Sequence, residues 1–318
     1  MIIKQVCILG GSGFVGQVLS NRLARDGVRM IIPTRRREPR RDNLILLPDT
    51  DLVEADIQDT GQLTRLFEGC DAVINLVGIL NEKGRRGEGF RYAHVTLAEK
   101  IIDACQAAGV GRLLQMSALN ADADNGSSYY LKTKGEAEDL LHSTGTLKVT
   151  SFRPSVIFGP GDSFFNRFAG LLKIAPFFFP LACPKARFAP VYVGDVAEVM
   201  ARTLGDPGSV GRRFELCGPR EYTLQELVQY TAHCLGIRRC IVPLNDLLSR
   251  MQAAVFDFVP GKPFSTDNYL STKMPSVCNS CDWSEFAIQP TAVESLVPGY
   301  LAGHNWRSRY DDYRRHLE

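Results

Sequence analysis

A tyrosine and a lysine four residues apart, Tyr130 and Lys134, are the pair in this sequence best suited to proton transfer. On a helix they share one face. A cation beside a phenol favours the phenolate and draws its pKa down toward neutrality. Such a phenol gives a proton to a carbonyl oxygen as hydride reaches the carbon, or removes one from an alcohol. Ser117, thirteen residues earlier, offers a hydroxyl to hold the same oxygen. The spacing alone is not selective. Ten tyrosines and ten lysines in 318 residues produce about 0.3 such pairs by chance, and a second pair, Tyr269 and Lys273, exists. Context separates the two. Tyr130 follows an apolar run that ends in serine and opens the next helical stretch, whereas Tyr269 lies beyond Pro260 and Pro263 and reads as structural.

The second constellation is Gly10-Gly11-Ser12-Gly13-Phe14-Val15-Gly16, in which Gly10, Gly13 and Gly16 give the spacing G-x-x-G-x-x-G. Glycine lets the backbone turn sharply and lets a pyrophosphate come close. The helix that follows presents free N–H groups and the positive end of its dipole, so Ser12, Gly13, Phe14 and Val15 are expected at the phosphates. A strand–loop–helix setting makes the triplet a dinucleotide signal. The next strand ends Pro33-Thr34-Arg35. An acidic residue there would bind the ribose hydroxyls of NAD, but none is present. Arg35 is placed to clasp a 2′-phosphate instead, with Thr34 beside it. The expectation is NADP(H) rather than NAD(H). Arg36 to Arg41 read as a solvated loop. Asp56 and Ile57, closing the third strand, are expected at the adenine edge. Leu76, Val77 and Gly78 close the fourth, where glycine lets the backbone lie beside the cofactor.

Elements must carry these residues to one place. Apolar runs at Val6-Leu9, Met30-Ile32, Leu52-Ile57, Ala72-Val77, Leu113-Met116 and Val149-Phe152 alternate with helical stretches at 14–25, 60–67, 92–108 and 129–143. That rhythm predicts βαβ units and a parallel sheet covered on both faces. After Pro154 proline and glycine become denser. Thr223-Leu-Gln-Glu226 reads as a capping box that opens a further helix, and 195–204 as a helix returning to the first half. The predicted fold is a Rossmann-type, doubly wound α/β domain with a smaller α/β C-terminal substrate domain. The first takes 1–153 plus about 191–217, the second about 154–190 and 218–318.

Hydrophobic residues are 45% and charged residues 23%, which excludes a mainly disordered chain. A net charge of +2 excludes a globally basic nucleic-acid binder. The five arginines of 35–41 lack interleaved aromatics, so no nucleic-acid partner is expected. The apolar pattern begins at once after Met1, leaving no room for a signal or transit peptide, and the expected location is cytoplasmic. Nine scattered cysteines suit a reducing compartment. Cys278 and Cys281 form a lone C-x-x-C, without the further ligands of a zinc site, and read as two unpaired thiols; no metal is expected. The apolar stretch 164–184 contains Arg167, Lys173, Pro176 and Pro180, so it is not a spanning helix. Phe177, Phe178 and Phe179 read as core or pocket wall, the alternative being a peripheral membrane contact.

The glycine loop with Ser117, Tyr130 and Lys134 resembles the extended, atypical short-chain dehydrogenase/reductase superfamily, also called the epimerase/dehydratase superfamily. Arg153-Pro154 through Gly159-Pro160-Gly161-Asp162 resembles its entry into the substrate domain, and Pro190 to Ala197 resembles the next landmark. Within it the chain is similar to the nucleotide-binding accessory subunit of respiratory complex I and its bacterial relatives, through Ile31 to Arg35, Val73 to Gly78, Ser117 to Ala121 and Gly218 to Tyr222. The resemblance implies that Ser117, Tyr130 and Lys134 are catalytic, and that Tyr130, Lys134 and Pro154 also line the cofactor. It implies tight NADPH binding and, among relatives, either a structural role in the complex or ubiquinone chemistry. Two functions follow as expectations. One is an NADP(H)-dependent oxidoreductase with a carbonyl or quinone-like substrate, suggested by Phe164, Phe165, Phe168 and Phe177 to Phe179 near the expected cleft. The other is a non-catalytic NADPH-holding subunit or assembly factor, associated peripherally with a respiratory complex at the inner membrane. A sugar-nucleotide epimerase or dehydratase ranks third. There the superfamily carries asparagine-valine, whereas this chain has Ala93-His94-Val95-Thr96, with His94 expected to be a packed or surface residue.

Overall fold

The computed structural model describes residues 2–35, 44, 47–82, 84–278 and 281–301. The chain divides into two compact units: 1–154, 193–216 and 280–288 form one, and 155–192, 217–279 and 289–318 the other. The segment 280–288 thus belongs with the first unit, although its position after residue 218 placed it with the second.

The first unit is built on seven strands: β1 (Gln5–Leu9), β2 (Arg29–Thr34), β3 (Thr50–Glu54), β4 (Ala72–Asn75), β5 (Arg112–Met116), β6 (Lys148–Pro154) and β7 (Arg213–Leu216). They form one sheet in the order β3-β2-β1-β4-β5-β6-β7, every pair parallel. β3 ends earlier than the apolar run suggested, and Asp56 lies in the turn beyond it. Successive strand residues face opposite ways. Cys7, Leu9, Val73, Leu113 and Val149 pack with helices α2 (Thr60–Phe67), α3 (Leu97–Ala108) and α4 (Tyr129–Ser143). The other side carries α1 (Phe14–Arg25) and α5 (Val193–Leu204), joined by the Arg22–Glu198 ion pair. The arrangement is a Rossmann-type doubly wound sheet. Its order reverses between β1 and β4, and ligands of such sheets bind at the carboxyl ends of the strands at that point.

The second unit has short paired strands, with Phe178–Leu181 beside Cys240–Pro243 and Ile157–Phe158 beside Val191–Tyr192. Its core holds Phe158, Phe165, Leu227, Val293 and Val297, with Phe164 and Phe168 packed against it. Asp162, 3% exposed, ties the motif of 159–162 together: it accepts from Gly159 N, Phe164 N and Asn166 N, and from the Tyr300 hydroxyl at 2.6 Å. Thr223 and Glu226 form the expected capping box.

Two expectations fail here. Phe164, Phe165 and Phe168 are core of this unit, held by edge-to-face ring contacts. Phe179 packs on Phe168, but Phe177 and Phe178 are 83% and 58% exposed and are not core. Strand alternation turns Phe178 outward when Phe179 turns inward. Cys278 is not an unpaired thiol: it is bonded to Cys217, 61 residues away. Cys281 is free.

Candidate functional site

The glycine loop folds as its spacing requires. Gly11 N donates to Ile8 O and Gly13 N to Gly10 O, which closes the turn between β1 and α1. Gly10 has φ +81°, a conformation side chains resist. A Cβ on Gly10 would lie 3.3 Å from the Leu76 carbonyl carbon, so the loop lies against the extension of β4. A Cβ on Gly16 would meet Gly10 O and Gly11 O at 2.5 Å, so no side chain fits there. Gly13 caps α1 without a side-chain hydrogen bond, and the first turn has no acid. By contrast Asp59 caps α2 and Ser128 caps α4. The first turn of α1 thus has no side-chain cap, and Ser12, Phe14, Val15 and Gly16 surround the helix end where an anion would bind.

The proposed proton-transfer residues converge where β4, β5 and α4 meet. Ser128 accepts from Leu131 N and starts α4 just ahead of Tyr130. One turn on, Lys134 reaches under the strand ends and donates to Val77 O at 3.1 Å and Met116 O at 2.9 Å. A side chain on Gly78 would come within 3.2 Å of the Lys134 Nζ, so glycine keeps this ammonium accessible to the tip of β4. Burial pulls the Lys134 pKa down to about 8, and the charge of Glu138 opposes that only in part. Ser117 follows directly after β5; its N–H is bonded to Phe152 O. Its Oγ is buried and has no hydrogen-bond partner among the described residues. Buried hydroxyls are seldom left so; those of Ser20 and Ser127 share the condition, but only Ser117 stands at the end of a central strand.

His94, which the sequence marked as standing where the superfamily carries asparagine and as a packed or surface residue, is packed against this group. It sits on a π-helical turn, Tyr92–Thr96, just before α3, where the sequence suggested continuous α-helix from Tyr92. Such turns recur at functional sites. His94 is buried, with Nδ1 2.9 Å from Thr133 Oγ1. The Thr133 hydroxyl donates to the Tyr129 carbonyl at 2.8 Å. It therefore accepts from His94, whose Nδ1 carries the proton. Nε2 is left as the acceptor, 3.5 Å from Ile79 N. The ring stands edge-on to Tyr130 at 5.7 Å, with Phe90 against both. Burial, and secondarily Lys134, pushes its pKa down to about 2, so His94 is neutral.

The remaining cofactor candidates are spread along the strand ends. Thr34 is buried and ends β2, its carbonyl accepting from Ala55 N, while Arg35 is exposed just beyond it. Asp56 is exposed and its Oδ1 accepts from Gln58 N; Ile57 is half-buried. Pro154 closes β6 and accepts from Leu119 N, two residues after Ser117. Arg36 to Arg41 lie outside the described residues. Tyr269 and Lys273 both bind Asp246, a structural knot in the second unit, as their context suggested.

The orphaned Ser117 hydroxyl and the glycine-rich loop at α1, which has no side-chain cap, fit a nicotinamide dinucleotide. Known proteins agree. The chain is 30% identical over 301 residues to the Mus musculus protein NADH dehydrogenase (ubiquinone) 1 alpha subcomplex subunit 9, mitochondrial, covering 90% of this chain and 77% of the relative. It is 29% identical over 245 residues to the ceramide reductase of Caulobacter vibrioides, covering 76% and 74%. The crystal structure of DesIV, a dTDP-glucose 4,6-dehydratase from Streptomyces venezuelae with NAD bound, shares the fold with a TM-score of 0.73 at 19% identity, over 93% of this chain and 95% of that one. Residues 6–217 match the NAD dependent epimerase/dehydratase family across the glycine loop, Ser117, Tyr130 and Lys134, and the chain belongs to that family.

Proposed function

We propose that this protein is an NADP(H)-dependent reductase of an apolar carbonyl compound, long-chain or quinone-like. The observation that carries the reading is the buried, unpartnered Ser117 hydroxyl beside the Lys134-braced end of β5. Buried hydroxyls are usually hydrogen-bonded, and a substrate carbonyl oxygen beside Ser117 would bond this one. Bound NADPH supplies the hydride. Ser117 donates a hydrogen bond to the substrate carbonyl oxygen and fixes its place. Tyr130 gives that oxygen its proton as the substrate gains two electrons, so a ketone C=O becomes CH–OH (in a quinone, C–OH of the hydroquinone) and the phenol is left as phenolate. Lys134 stabilises that phenolate by its charge. Arg35 holds the 2′-phosphate. The ceramide reductase likeness supports a long-chain ligand.

The test is turnover on a panel of long-chain ketones and quinones. The expected result is NADPH oxidation that Tyr130→Phe lowers by about 10²–10⁴-fold, the usual value of a general acid. Turnover indifferent to Tyr130→Phe would overturn the reading. A second reading, an NADPH-holding subunit of a respiratory complex, is favoured by the likeness to the complex I subunit. It predicts bound NADPH that survives the whole panel unoxidised. In either case Arg35→Asp should shift preference from NADP toward NAD; an unchanged ratio would refute the role of Arg35.

A further inference from the structure

The second unit presents an apolar surface to solvent that its own core does not use. The helix Asp246–Phe256 packs inward through Ser249 and Ala253, both buried, with Ser249 Oγ accepting from Cys183 N. At 100° per residue, Leu247, Leu248, Met251, Ala254 and Val255 fall on the opposite face, within about 120° of arc. Leu247, Met251 and Val255 are 67%, 56% and 62% exposed, and Phe258 just beyond is 77% exposed. The larger apolar face of this helix therefore points outward, the reverse of an ordinary surface helix. Beside it lies the ribbon of Phe178–Leu181 and Cys240–Pro243, joined to the helix by the Gln252 amide donating to Pro180 O at 3.3 Å. That ribbon exposes Phe178 and Val242, and Phe177 and Ile174 next to it are exposed too. Exposed apolar surface on this scale marks an interaction site.

Charge indicates the occupant. Arg250 on the helix, with Lys173 and Arg238 at the ribbon end, is exposed. The two acids of the helix region are engaged within the chain: Asp246 by Lys273 and Tyr269, Asp257 by both the N–H and the hydroxyl of Thr266. An apolar helix face with exposed cations at its margins, and with Asp246 paired to Lys273, matches an anionic bilayer surface, since a helix satisfies its own backbone and needs no shaped partner. Among the described residues no helix is long and apolar enough to cross a membrane, so the contact is interfacial. We propose that the Asp246–Phe256 helix and the adjoining ribbon are a docking surface for an anionic lipid bilayer, the helix lying in the plane of the headgroups. The proposal is independent of turnover, because it predicts binding without substrate.

The test is flotation of the full chain with vesicles of phosphatidylcholine, with and without phosphatidylglycerol. The wild type should float with the anionic vesicles about tenfold more than with neutral ones, and less as salt rises. Met251→Asp with Val255→Asp should lower anionic binding at least ~tenfold, while Val210→Asp, at an exposed site in the first unit, should leave it unchanged. Melting curves establish that the variants fold. As an independent readout, Met251→Trp should shift its fluorescence to the blue on addition of anionic vesicles. Wild type that does not float, binding indifferent to the double substitution, or a solution dimer broken by it without any vesicle binding would each overturn the proposal.

Discussion

At the scale of single residues, the site depends on burying polar groups and keeping them in one state. His94 shows the cost. Its folded pKa lies at about 2, below the ordinary value of 6.5 for the free imidazole, because burial and Lys134 both disfavour its charge. As pH falls through 6.5 the unfolded chain takes up a proton at this residue and the folded one does not. Stability is therefore lost steadily on acidification below 6.5. His94→Gln keeps an amide able to donate to Thr133 and removes the titration. We expect the wild-type melting temperature to fall more between pH 7 and pH 5 than that of His94→Gln; parallel curves would show that His94 is not held neutral. Ser117, Tyr130 and Lys134 were legible in the sequence because a helix period and a strand end place them together. His94 was legible only as a packed or surface residue in place of the superfamily's asparagine; its seat against Tyr130 was not, since its register depends on a π turn that inserts one residue into the helical spacing.

At the scale of elements, α4 carries both Tyr130 and Lys134, so its seat decides where the chemistry sits. It is seated by an absence. A Cβ on Gly135 would meet the backbone of Asp122 and Ala123 at 2.5 to 2.6 Å, so the helix lies directly on the loop after β5. Glu138 anchors the next turn; it is fully buried and receives Arg153 from β6 at 2.8 Å and Arg213 from β7. Gly135→Ala must lift the helix from the loop, because backbone cannot yield as a flexible side chain does. Overpacking of this kind costs about 1–3 kcal/mol, although alanine in place of glycine would favour an exposed helix. We expect a lower denaturation midpoint in urea, with Lys134 drawn away from Val77 and Met116 and any turnover lowered further than stability alone requires. An unchanged or raised midpoint would mean that α4 is not held in this seat. The helices 14–25, 60–67 and 129–143 could be read from periodicity, since each has one apolar face against the sheet. The close approach at Gly135 could not, because a glycine within a helix has the same appearance whether space beside it is empty or filled.

At the scale of the whole molecule, the first unit was more legible than the second. Parallel strands buried on both faces read as continuous apolar runs, and chain order with right-handed crossovers leaves few ways to arrange them. The second unit is made of two- and four-residue strands and short helices. Its phenylalanines carry no label that tells core from surface: Phe165 is fully buried while Phe177 is almost bare. The same limit hid the Cys217–Cys278 bond, because pairing among nine cysteines cannot be read from their positions. That bond supplies the last prediction. Closing a loop with a sequence separation of 61 residues restricts the unfolded chain by about 4 kcal/mol on the chain-entropy account. For a chain of this size that corresponds to roughly 6 °C in melting temperature. The oxidised protein should lose that margin on adding a thiol reductant, and Cys217→Ser with Cys278→Ser should melt like the reduced wild type in either buffer. Thiol titration of the unfolded, unreduced protein should count seven free cysteines. Nine free thiols together with melting curves indifferent to reductant would remove the bond from the account and leave the second unit held by its aromatic core alone.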